Sequence, residues 1–139
     1  MEGKKEKAIG QLEVSLKLNP TDAESHLKLG DLYFSTGNFE KAVEEYRKSY
    51  KIDSESDEAH LKAGDSYFEM GRYSDALFEY RKALKIKNSK YAHFGIGKVY
   101  TKLGQYKEAI AQFEAALKID PDFKECLSWL ERLTKNKTE

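Results

Sequence analysis

Apolar residues recur along this chain at helical spacing. Leu29, Leu32 and Tyr33 fall at i, i+3 and i+4, and Ala42, Tyr46, Ser49 and Ile52 return every three or four positions. Two-residue alternation of the kind a strand needs is absent. The pattern therefore predicts amphipathic helices joined by short turns. Gly37, Gly71 and Gly104 each follow a predicted helix and suit the left-handed turn past its C-terminus. Asp22, Ser56 and either Asn88 or Ser89 stand where N-caps are needed before the next helix.

The helical pattern itself repeats. Residues 23–56, 57–89 and 90–123 align, with landmarks stepping by 34 and then 33 residues: Gly30, Gly64, Gly97; Tyr33, Tyr67, Tyr100; Ala42, Ala76, Ala109. The missing residue falls near 87–89, where a loop can absorb it. Each unit reads as two helices. Gly30, Gly64 and Gly97 mark a close approach that leaves no room for a side chain. The three alanines are the small partners on the second helix, and Tyr46, Tyr80 and Phe113 are the large groups that fill the adjoining space.

Composition narrows the class of work. The chain has 139 residues, with 24 Lys+Arg against 24 Asp+Glu, so no net charge draws it to nucleic acid or an anionic membrane. No apolar run exceeds three residues, far short of the ~18 a membrane span requires. A charged fraction of 35% beside 12% aromatics departs from the composition of disordered tails, and the length suits one domain. A single cysteine, Cys126, excludes an internal disulfide and fits a reducing compartment, and a cytoplasmic location is the expectation from the lack of an export signal in this chain. The two ends, 1–5 and 135–139, are expected to fray.

In its landmarks the chain resembles the tetratricopeptide repeat (TPR) family, whose pattern is W-x2-L-G-x2-Y, then A-x3-F, then P. The corresponding pieces are H-L-K-L-G-D-L-Y (26–33), H-L-K-A-G-D-S-Y (60–67) and H-F-G-I-G-K-V-Y (93–100), followed by Ala42 with Tyr46, Ala76 with Tyr80 and Ala109 with Phe113. Histidine replaces the family's tryptophan each time. Pro121 closes the third repeat, while Ser54 and Asn88 stand where the first two would carry proline. The resemblance implies an all-α, right-handed superhelical solenoid of about eight helices. These divide into a half repeat (1–22) with only a second helix, three repeats (23–56, 57–89, 90–123), and a C-terminal capping helix and tail (124–139) whose apolar face is Cys126, Leu127, Leu130 and Leu133.

The resemblance also implies a function. Most such proteins are scaffolds that hold a peptide or helix in a concave groove lined by first helices. Carried onto this chain, the lining is Glu24, Leu27, Lys28, Asp31 and Phe34 in repeat one. Repeat two supplies Glu58, Leu61, Lys62, Asp65, Phe68 and Glu69, and repeat three Tyr91, Phe94, Lys98 and Lys102. Carboxylates dominate the first two repeats and lysines the third, which suits an amphipathic segment basic at one end and acidic at the other. The simpler alternative is that these charges only solvate a helix face. Members that clasp a chaperone's C-terminal carboxylate use Lys and Asn, then Asn, then Lys and Arg. The matching positions here are Leu27 and Asp31, Lys62, and Tyr91 and Gly95, so a chaperone tail of that kind is not the expected partner.

Other signals carry less. His26, His60 and His93 share one repeat position, so they read as inherited repeat identity at a half-buried site, too far apart to share one metal ion. Their protonation is expected to loosen the stack below roughly pH 6. Gly95-Ile96-Gly97-Lys98 lacks the spacing and preceding strand of a phosphate loop. Asn136-Lys137-Thr138 fits a glycosylation sequon without an accompanying export signal. Nothing places a catalytic triad, a cofactor motif or a metal cluster. Cys126 reads as a core residue, with Trp129 packing beside it. The half repeat keeps Ile9, Leu12 and Leu16 without a front helix to cover them. Three explanations stand side by side: a fragment of a longer array, a helix resting on repeat one as a cap, or self-association of two chains. The expectation is a non-enzymatic adaptor. The alternatives are a structural segment or self-assembling unit, and a module whose chemistry lies elsewhere.

Overall fold

The computed structural model describes residues 2–137. Among them the chain forms eight helices and no strand: α1 (Glu2–Leu18), α2 (Ala23–Ser35), α3 (Phe39–Ile52), α4 (Asp57–Glu69), α5 (Tyr73–Ile86), α6 (Lys90–Lys102), α7 (Tyr106–Ile119) and α8 (Lys124–Lys137). Consecutive helices pack on one another from α1 to α8, and α4 also touches α6. Every first helix therefore meets its own partner, the second helix before it and, across one junction, the next first helix. None is long and apolar enough to cross a membrane.

Turn chemistry explains the pairing. Gly37, Gly71 and Gly104 have φ of 80°, 74° and 77°, where a side chain would be strained, and they reverse the chain between the two helices of each pair. Ser56 caps α4 by accepting from the Ala59 amide, and of the two candidates before α6 it is Ser89 that caps, accepting from the Tyr91 amide. Asp22 precedes α2 without capping it through its side chain. Its carboxylate is taken instead by the Ser25 hydroxyl at 2.6 Å. The ends differ from the expected fraying. α1 is helical from Glu2 and α8 continues to Lys137, because extending a helix already anchored by packed residues costs little. Thr138 of the sequon lies outside the described residues.

The core is a column of rings against glycine backbone. Tyr46, Tyr80 and Phe113 are all but fully buried, each contributing about 2–3 kcal/mol of apolar burial. A Cβ on Gly30 would lie 2.6 Å from the Tyr46 ring, on Gly64 2.7 Å from Tyr80, and on Gly97 2.5 Å from Phe113. Ala42, Ala76 and Ala109 are completely buried. At the C-terminal end Phe94, Phe113, Phe123, Cys126 and Leu133 form one cluster with Trp129 packed against it. The Cys126 thiol donates to the Phe113 carbonyl, and burial pushes it up to about 11.

Candidate functional site

The first helices α2, α4 and α6, with the start of α8, line a chain of hollows. In one, of about 240 Å³, α4 contributes Leu61, Asp65, Phe68 and Glu69, and α6 contributes Tyr91, Phe94, Gly95 and Lys98. Phe34 closes one side, and Phe123 with Glu125 the other. A neighbouring hollow holds Glu58, Lys62 and Tyr91 together with the inter-repeat residues Asn88 and Ser89 and with Lys90 at the start of α6. Eight of the residues expected from repeat position thus meet in one place: Phe34, Leu61, Asp65, Phe68, Glu69, Tyr91, Phe94 and Lys98. Of these, Phe94 is mostly spent on the core, with Phe113 and Phe123 against its ring. Leu27 packs against the cluster of Ala42, Tyr46 and Ala63. Glu24 and Lys28 pair with each other at 3.2 Å on the exposed side of α2, and Lys102 is exposed in the last turn of α6.

One ion pair of the lining crosses a junction. Lys62 reaches back across the junction to Asp31 at 2.7 Å and along its own helix to Glu58 at 3.0 Å. Burial pulls the Lys62 ammonium down, but its bonds to Asp31 and Glu58 together leave it above the ordinary lysine value. Asp31 also accepts from the Tyr46 hydroxyl at 2.7 Å. One repeat further, the Tyr80 hydroxyl donates to Asp65 at 2.6 Å, while Lys98 lies 4.8 Å from the centroids of both the Phe68 and Phe94 rings. Burial pushes the Asp65 carboxyl up, against the lowering pull of the Tyr80 hydroxyl and the Lys98 charge. Stacking brings Asp31 of one repeat beside the first helix of the next, so opposite signs meet directly at that boundary.

Phe123, Glu125, Lys90 and Asn88 were absent from the sequence-derived lining. A signal for Glu125 existed: it stands at the repeat position of Glu24, Glu58 and Tyr91, one period on, and α8 carries it as a fourth first helix would.

The three histidines do not meet. Each ring faces an acceptor on its own partner helix: His26 Nδ1 lies 3.3 Å from Glu45, His60 Nδ1 2.9 Å from Glu79, and His93 Nδ1 2.8 Å from Gln112. Leu16 of the half repeat is buried, whereas Ile9 and Leu12 are half-buried.

The TPR repeat profile matches residues 30–71 and 64–104, and tetratricopeptide repeat profiles match 91–123 and 12–44. The chain belongs to the tetratricopeptide repeat family. Its all-α architecture is that of a TPR solenoid. Two solved structures of MamA are similar to it at 26% identity, with TM-scores of 0.89 and 0.87, covering 99% of this chain and 81% and 75% of theirs. The Arabidopsis OM64 TPR domain shares the fold at 24% identity and a TM-score of 0.77, over 81% of this chain and 94% of that one. So does the first TPR of Spaghetti (RPAP3), solved with the HSP90 peptide SRMEEVD, at 19% identity and 0.79, over 84% of this chain and 94% of that one. A comparison with curated proteins returned no significant match. The match from residue 12 begins within α1.

Proposed function

We propose that this TPR chain is a non-enzymatic adaptor that holds a segment of a partner protein in the groove along α2, α4, α6 and α8. The observation that carries this reading is the hollow at the α4–α6 boundary, where a carboxylate held at a desolvation cost, Asp65, lies among Phe34, Leu61, Phe68 and Tyr91. Stability alone would favour an apolar or neutral group at such a position, and sites that keep a costly charge are candidates for recognition. Tyr91 is 53% exposed and Glu69 and Lys98 flank it, so an amphipathic segment finds an aromatic contact and both signs of charge within one hollow. An acidic carboxylate tail fits poorly. Lys62 is already engaged by Asp31 and Glu58, and Gly95 offers no side chain.

The test uses Tyr91 and Glu69, which are exposed, and Lys98, which is half-buried. Tyr91→Ala, Glu69→Lys and Lys98→Glu baits are compared with wild type in affinity capture from native lysate, with helicity checked in parallel. The reading expects captured partners to be lost in all three, with melting unchanged in Tyr91→Ala and Glu69→Lys. Full retention of partners by all three variants would overturn it. A second reading, self-association through the half repeat, is favoured by Val14 and Leu18, 58% and 85% exposed on α1 beside half-buried Ile9 and Leu12. Light scattering over a concentration series at two ionic strengths tests it, and a constant monomer mass refutes it.

A further inference from the structure

We propose that a second pocket, between α1 and α3, takes a tyrosine side chain presented by another polypeptide. This inference stands independently of the groove reading.

The repeat supplies its own template. At the second junction, Tyr50 of α3 lies flat on His60, with ring centroids 3.9 Å apart and planes 16° from parallel. Its hydroxyl donates to Glu79 Oε1 at 3.1 Å, while His60 meets Oε2 at 2.9 Å. Both oxygens of that buried carboxylate are occupied. One period earlier the matching residues are His26, Glu45 and, in place of Tyr50, Leu16. The substitution removes both a ring and a donor. Glu45 is nearly as enclosed as its counterpart, its side chain 8% exposed against 4% for Glu79, and Oε1 faces His26 at 3.3 Å. Glu45 Oε2 is buried with no hydrogen-bond partner among the described residues. Lys48 stands 3.3 Å from it as an ion pair without hydrogen-bond alignment. The third junction has leucine too, Leu84, but there the acid is replaced by Gln112. Only the first junction combines the missing phenol with a retained carboxylate.

In front of Glu45 opens a hollow of about 650 Å³ walled by Leu16, Pro20, Leu29 and Ile52. A water could satisfy one oxygen but would leave those apolar walls wet. A phenol satisfies both once the side chains that close Oε2 off from solvent shift to admit it, with its hydroxyl donated to Glu45 Oε2 and its ring against Leu16 and Leu29. A lysine or arginine anchor would meet Lys17, Lys48 and Lys51, which outnumber Glu13 around the opening. Those lysines favour instead a tyrosine with acidic neighbours in the chain, which a free phenol cannot supply.

The experiment uses the full chain with labelled methyl groups. Acetyl-Glu-Tyr-Glu-amide, its phenylalanine counterpart and p-cresol are titrated while the Leu16, Leu29 and Ile52 methyl resonances are followed. The tyrosine peptide is expected to shift these resonances saturably. The phenylalanine peptide should bind about tenfold more weakly, as loss of one hydrogen bond to a charged group implies, and p-cresol should also be weaker. Leu16→Tyr, which supplies the phenol from within, should melt higher than wild type and abolish the shifts. Glu69→Lys in the groove should leave them unchanged. Equal binding of the two peptides, or shifts confined to other methyls, would overturn the proposal. Equal binding of p-cresol and the tyrosine peptide would overturn the polypeptide as occupant. Should Leu16→Tyr fail to fold, the tyrosine-to-phenylalanine ratio on the unaltered chain still decides.

Discussion

Replacing Gly64 by alanine tests the packing of the core directly. The new Cβ would stand 2.7 Å from Cδ1 and Cε1 of Tyr80, about 1 Å inside the distance carbon atoms prefer. The ring has nowhere to go. On its other side it lies against Gly95, whose own Cβ would come within 2.5 Å of Tyr80 Cζ, and its hydroxyl is tied to Asp65 at 2.6 Å. Overpacking of this kind costs about 1–3 kcal/mol. Alanine's helix preference over glycine returns about 1 kcal/mol. Gly10, in the middle of α1, has nothing within 4 Å of its missing Cβ, so Gly10→Ala gains the preference without the clash. The same chemical change should therefore lower the melting temperature at one site and raise it at the other, separating the two variants by about 1–3 kcal/mol, or several degrees. Heat melts followed by circular dichroism at 222 nm read the difference. In a Tyr80→Leu background the penalty of Gly64→Ala should disappear, because the two residues are coupled through contact. A Gly64→Ala chain melting at or above both wild type and Gly10→Ala would refute the reasoning.

Two further predictions concern titrating groups. Because burial raises the Asp65 carboxyl, the folded state favours its protonated form. That contribution is present below the unfolded value of about 3.9 and lost as pH rises through the folded one. Asp65→Asn keeps an acceptor for Tyr80, so it should melt higher than wild type at pH 7 and lose that advantage near pH 3.5. Equal melting of the two chains at pH 7 would contradict the desolvation cost. Cys126, completely buried with its thiol pushed up to about 11, should resist iodoacetamide at pH 8 and react fully in denaturant. Rapid labelling of the native chain would place Cys126 outside the core.

The period of the landmarks, the helix pairs, the three positive-φ turns and the facing of Gly30, Gly64 and Gly97 toward Tyr46, Tyr80 and Phe113 follow from the amino-acid sequence by itself. These contacts lie within one repeat and recur three times, so each copy confirms the phase of the others. Stacking decided the rest. It makes Gly95 the second wall of Tyr80, pairs Lys62 with Asp31, and brings Phe123 and Glu125 into the groove. It also turns Leu16 inward and leaves Glu45 Oε2 without a hydrogen bond while Tyr50 satisfies Glu79. Such contacts cross from one repeat to the next, and each depends on which side chain stands at that one boundary. A periodic pattern reports what every repeat shares; the polar fit between neighbours is set by what each does not.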